Sequence, residues 1–237
     1  MSEYLLIVLE DEQAHASQAP KGMADLIEKQ AQFEGSLRRA GQLRDAGRLR
    51  PSREGKRVKR DGDRVVVSEG PFLEEGRALG SYYSVEAPGT LEAAALGASC
   101  PTLARDEVDV RPLMKGRVDP DKEAKPGKIF AFAVLGNAAT EEAWVQVMDR
   151  IDAETRDGFP AVASLGGLRL EAPKRGKRIA PQGERRATFD GPFLECKEVI
   201  GGLFFLRLTS LDEAVRWAAG TRFIHHGALE IRELWRT

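Results

Sequence analysis

Glu69-Gly70-Pro71-Phe72-Leu73-Glu74 and Asp190-Gly191-Pro192-Phe193-Leu194-Glu195 lie 121 residues apart and differ only in their first side chain. Outward from them the same offset places Gly55-Lys56-Arg57-Val58 on Gly176-Lys177-Arg178-Ile179, Gly62-Asp63-Arg64 on Gly183-Glu184-Arg185, and Gly80 on Gly201. Near the two ends, Val108-Asp109-Val110-Arg111-Pro112-Leu113 falls on Leu229-Glu230-Ile231-Arg232-Glu233-Leu234. Leu91, Ala94, Ala95 and Ala98 meet Leu211, Ala214, Val215 and Ala218 at an offset of 120, the apolar stripe of a helix. A register held this long reads as one domain written twice, over residues 1–115 and 128–237. Residues 116–127, charged and carrying Pro120 and Pro126, read as a solvated linker.

Each copy opens with an apolar run of strand length, Tyr4 to Leu9 and Ile129 to Leu135, followed by an amphipathic segment. The helical stripe is Met23, Leu26, Ile27, Gln30, Phe33 and Leu37 in the first copy, and Trp144, Val147, Met148 and Ile151 in the second. Gly41 and Gly158 are the expected helix stops. A basic, Gly-rich hairpin, the Gly-Pro-Phe turn, a strand, a helix and a last alternating strand complete each copy. This is a ferredoxin-like βαββαβ plan, and the fold class is α+β.

A hydrophobic content of 42% against 31% charged residues is enough apolar mass for a real core. With 36 basic and 37 acidic residues no global field recruits nucleic acid or an anionic membrane, so nucleic acid is not an expected partner. No apolar run approaches a membrane span and the first residues do not read as a signal peptide, so a cytoplasmic location is expected. Cys100 and Cys196 have no neighbours at metal-site spacing and read as packing residues; no metal and no cofactor are expected.

The stretch from Phe189 to Glu198 resembles the signature of the YCII-related, or DGPF, family, and Ser68 to Arg77 resembles it with Glu69 in place of the aspartate. Gly80-Ser81-Tyr82-Tyr83, Gly201-Gly202-Leu203-Phe204 and Leu211-Asp212-Glu213-Ala214 extend the likeness. The resemblance implies two ferredoxin-like repeats forming an intramolecular pseudo-dimer of the dimeric α+β barrel type, enclosing a pocket for a small-molecule ligand, with further self-association open. In YCII-type relatives a histidine on the first helix and a downstream aspartate form a proton-transfer pair, and one branch eliminates chloride from a hydroxyhydroquinone. Counted back from the helix-stop glycines, that histidine position falls near Gln30 and Val147, neither of which titrates. The expected function is a cofactor-independent isomerase or lyase using acid-base chemistry. The alternative is a noncatalytic ligand-binding or accessory protein, for example in a sigma-factor-linked system.

Asp190 and Glu69 occupy one equivalent position, where a carboxylate beside a Gly-Pro turn serves either as a general base or as a bond to its own turn backbone. His15 reads as a solvated loop residue after the first strand. His225 and His226 are adjacent on an extended segment and point opposite ways, so they do not chelate one ion, though either can face a pocket as acid or base. Arg57 and Arg178, with Arg64 and Arg185, recur and have the fork geometry for a carboxylate or phosphate, or else line a solvated hairpin. Tyr82 and Tyr83 correspond to Leu203 and Phe204, so one tyrosine carries a hydroxyl inward where the second copy is apolar. The candidate catalytic residues are therefore Asp190, His225, His226 and Tyr82. The candidate ligand-binding residues are Arg57, Arg178, Glu69 and Tyr83.

Overall fold

The apolar run at the start of the chain becomes the middle of β1 (Ser2–Asp11), where Tyr4 to Leu9 are buried on both faces of the strand. In the computed structural model the described residues are 1–70, 77–118, 126–137, 163–183, 185–191, 198–225 and 227–235. The second copy's expected first helix, Gly158, Cys196, His226 and both Pro-Phe pairs lie outside them. The chain is an α+β protein whose strands pair antiparallel, and it divides into two compact units.

In the first unit β1 pairs with β5 (Arg77–Ala87) and β6 (Glu107–Val118), and β5 pairs with β2 (Leu43–Leu49). The outer edge of β6 is taken by β9 (Lys177–Gln182), which carries β10 (Arg185–Asp190) beside it. The order is β2-β5-β1-β6-β9-β10. Among the described residues three α-helices belong to this unit: α1 (Glu12–Ser17), α2 (Pro20–Arg39) and α3 (Thr90–Ser99). Phe33 and Leu37 of α2 and Ala93 of α3 pack on Leu6, Val8, Tyr83, Val85, Val108, Val110 and Ile179, which share one sheet face. The stripe on α2 is narrower than expected, since Ile27 is 51% exposed. Its stop is as read: Gly41 adopts φ 69°, and the amides of Gly41 and Gln42 return to the carbonyls of Arg38 and Leu37.

In the second unit β7 (Lys128–Asn137) pairs with β11 (Glu198–Leu208) and β12 (Ala228–Trp235), and β11 pairs with β8 (Ala163–Leu170). The outer edge of β12 is taken by β3 (Lys56–Asp61) with β4 (Arg64–Glu69) beside it, giving β8-β11-β7-β12-β3-β4. Helix α4 (Leu211–Ala219) is capped by Ser210, whose hydroxyl accepts the Glu213 amide, and packs with Phe132, Phe204 and Phe223.

The compact units are therefore not contiguous stretches of sequence. Hairpin β9–β10 belongs to the first unit and hairpin β3–β4 to the second. Both hairpins turn through a glycine in the left-handed region, Gly62 at φ 57° and Gly183 at φ 62°. Each sinks one fully buried apolar side chain into its host core, Ile179 and Val58 respectively. Burying each contributes about 1.5–3 kcal/mol, which local turn chemistry could not reveal. The expected linker also begins later than read, because β6 continues as strand through Gly116 to Val118.

Candidate functional site

At one end of the first unit's helix-covered sheet face the apolar core gives way to charged side chains. Val8 is followed two residues on by Glu10, and Ala46 by Arg48, so the strand period points both polar groups to the face that carries Tyr83 and Val108. Asp106 stands just before β6. Asp11 caps α1, its carboxylate accepting the Ala14 amide at 3.0 Å, and this turns His15 back over the sheet. His15 is thus a helical, nearly buried residue and not the solvated loop histidine expected.

His15 Nε2 donates to Asp106 Oδ2 at 2.9 Å, and the side chain of Asp106 is 1% exposed. The same carboxylate accepts the amides of Leu103 at 2.8 Å and Asp11 at 3.0 Å. Fixed by two backbone donors, Asp106 places the imidazole proton on Nε2 and leaves Nδ1 facing Glu10 Oε2 at 3.8 Å. Glu10 Oε1 lies 3.2 Å from Arg48 Nη2, and Arg48 Nη1 donates to Gln30 Oε1 at 2.8 Å. Gln30, the position counted for the relatives' histidine, serves here to orient Arg48. Gly80 makes room for the acid, because a Cβ there would come within 2.0 Å of the Glu10 carboxyl carbon.

Burial is the largest influence on His15 and opposes its charged form. The Asp106 hydrogen bond, with the charges of Glu10 and Asp106, outweighs burial and the repulsion from Arg48, and the pKa rises above the usual 6.5. Burial pushes the nearby Cys100 thiol up to about 12, which makes it inert as a nucleophile near neutral pH. Tyr83, edge-on to Phe33 at 5.3 Å, is likewise pushed up by burial.

The residues selected from the sequence are distributed differently. Tyr82 is buried on the opposite sheet face, where its hydroxyl donates to Asp45 Oδ2 at 2.8 Å; burial raises the Asp45 pKa against that bond. Arg178 is on that opposite face too, gripped by Asp109 through Nε at 2.7 Å and Nη2 at 3.2 Å. Arg57 lies across from Glu230 in the β12–β3 register. Asp190 and Glu69 are mostly exposed ends of hairpin strands, ion-paired with Lys177 and Lys56, and Lys56 holds Glu69 below its usual pKa. His225 is exposed, with Nε2 3.0 Å from Arg60 Nη1. Asp190→Asn and Glu69→Gln are expected to leave the thermal midpoint unchanged within the error of a melt, because exposed pairs contribute little.

Sequence reasoning passed over Glu10, His15, Arg48 and Asp106. Its one available signal was Glu10-Asp11-Glu12 beside His15, a carboxylate set at a strand end next to a titratable ring.

The geometry can be set beside known proteins. Residues 136–237 match the YCII-related domain. The YCII-related segment is less than half of the chain and contains β9 and β10 of the first unit, but not β1, α1 or the residue before β6, where Glu10, His15 and Asp106 stand. Among solved structures, a heme-binding protein from Thermus thermophilus is similar over 99% of this chain and 91% of its own, at 11% identity and a TM-score of 0.39. A chlorite dismutase from Candidatus Nitrospira defluvii is similar over 99% of this chain and 91% of its own, at 8% identity and a TM-score of 0.42. No curated protein matches the sequence. Among the described residues no helix is long and apolar enough to cross a membrane, and no three His, Cys, Asp or Glu side chains are grouped to hold a metal ion.

Proposed function

We propose that the chain is a small-molecule-binding protein that performs acid-base chemistry, of the isomerase or lyase class, at the Glu10, His15 and Asp106 cluster of the first unit. The observation that carries this reading is the 2.9 Å bond from His15 Nε2 to a carboxylate that backbone amides hold in place. Such an aspartate orients the ring and stabilises its imidazolium, so Nδ1 can take a proton from a bound ligand and return it. Glu10 lies on the Nδ1 side and favours the charged ring once the proton has moved. The accessory reading linked to sigma factors finds no support in the comparisons.

The proposal includes two ferredoxin-like repeats in tandem, with only one copy equipped. Two observations support it: the strand order repeats from unit to unit, and Arg111 and Arg232 both reach a backbone carbonyl at the matched positions Glu171 and Arg50. Strand register matches Val8, across from Ser81, with Val134, across from Gly202. Glu10 then corresponds to Gly136, Tyr83 to Phe204, and, at the offset of 121, Asp106 to Gly227. The second copy has kept the scaffold and has no acid at those positions.

The test is the titration of His15 followed by NMR. Its pKa is expected above 6.5 in the native protein and lower in Asp106→Asn; a ring that titrates like a free imidazole in both overturns the reading. A folded pKa above the unfolded one means that folding takes up a proton, so the contribution to stability is full below the unfolded value and is lost as pH rises through the folded value. The urea midpoint is expected to decline across that window in the native protein and to lose that decline in His15→Gln.

A further inference from the structure

Hairpin β9–β10 brings one further charged side chain to the helix-covered face of the first unit. Arg186 stands on β10 across from Pro181, on the strand face shared by Thr188 and Ile179, and Ile179 belongs to the helix-covered core. Its Nη1 donates to the carbonyl of Cys100 at 3.2 Å. Its Nε and Nη2 are both shut off from water and have no acceptor among the described residues. These two donors form one edge of the guanidinium, the edge that grips a planar carboxylate through two parallel bonds. Arg178 uses the same edge on Asp109 in this protein. Donors buried without an acceptor cost folding energy, and a bound acceptor would recover it.

We propose that Arg186 is the anion-recognition residue of this site and that the ligand is a small monocarboxylate, held by Arg186 Nε and Nη2 beside the His15–Asp106 pair. The ligand class is set by charge as well as shape. Asp106 and Glu107 both act electrostatically on Arg186, and Glu10 and Asp106 both act on Cys100, whose carbonyl Arg186 holds. A phosphate dianion entering among these acids meets more repulsion than a carboxylate does. Position 65, which the repeat offset matches to Arg186, is a valine on hairpin β3–β4, so the second unit lacks this donor. Because both donors are covered, the ligand must displace packed atoms on entry, and binding is expected to be slow. The use of the anion site for proton transfer rests on the function proposed above; the anion site itself rests on Arg186 alone.

The test is a titration of the full chain with sodium benzoate and sodium acetate, with chloride and inorganic phosphate at matched ionic strength. It is read from the Arg186 Nε–H resonance and by calorimetry. A carboxylate is expected to move that resonance in slow exchange, whereas chloride and phosphate leave it in place. Arg186→Gln is expected to weaken binding more than about tenfold, and Arg186→Lys, which keeps the charge and loses the fork, to weaken it as well. Should Arg186→Gln fail to fold, the native resonance and Arg186→Lys still decide. Equal response to phosphate, unchanged binding in Arg186→Lys, or no movement of the native resonance overturns the proposal. His15 reports on a different resonance, so either reading can fail while the other stands.

Discussion

Replacing Asp106 with alanine is expected to destabilise the protein by roughly 3–5 kcal/mol, the cost of breaking a buried charged pair by removing one partner. The carboxylate is 1% exposed and accepts from His15, Leu103 and Asp11, so its loss strands an imidazole and two backbone amides together. Asp106→Asn retains one carbonyl oxygen at the Oδ2 position, which still serves Leu103 and His15, and its cost is expected to be smaller. Denaturant melts of the two variants separate the parts: a large loss in both points to the charge, and a loss confined to alanine points to the hydrogen bonds. Alanine with native stability would mean that the carboxylate is not holding this end of the sheet.

Phe132→Ala is expected to cost about 3–5 kcal/mol, for a different reason. Phe132 is fully buried, stacked on Phe204 at 4.8 Å between ring centroids, and edge-on to Trp217 at 5.1 Å. Phe204 stacks in turn on Phe223 at 5.1 Å. A chain of four rings cannot close over a missing one without moving α4, so a cavity term adds to the lost transfer energy. The check is a urea melt with an unchanged slope and a lower midpoint. Phe132→Leu, which keeps much of the volume, should recover a large part of the loss.

What was legible in the sequence was local or recurrent. Gly41 marked a helix stop because a left-handed residue there favours glycine, and Gly62 and Gly183 marked two hairpins for the same reason. The paired tyrosines point to opposite faces as successive strand residues must, but both are buried, where only one was expected inward. The destination of each hairpin was not legible, because strand pairing is decided by tertiary packing: Ile179 looks no more suited to Val108 than to many other apolar strands. The site was hidden for a related reason. Its members come from a strand end, a short helix, a second strand, a loop and a distant hairpin. Weight placed on positions that recur favoured Arg57 with Arg178 and Glu69 with Asp190, and these ion-pair or face acids along strands that both units share. The cluster consists of what does not recur. Across the proposed repeat Glu10 faces Gly136 and Arg186 faces Val65, so comparing the two halves for difference would have found the site where comparing them for likeness found the framework.

The exchange of hairpins sets an order on how the chain can assemble while it is being made. When β6 leaves the ribosome its outer edge has no strand to pair with until Lys177–Gln182 has been synthesised. Hairpin β3–β4, made early, waits longer still, since its partner β12 comes after β9 in chain order. During that interval two open sheet edges, one of them beside the exposed Val65 and Val67, are available to any other extended chain. The nascent protein therefore passes through a window of vulnerability to mispairing that the finished fold conceals, and the emergence of β12 is what closes it.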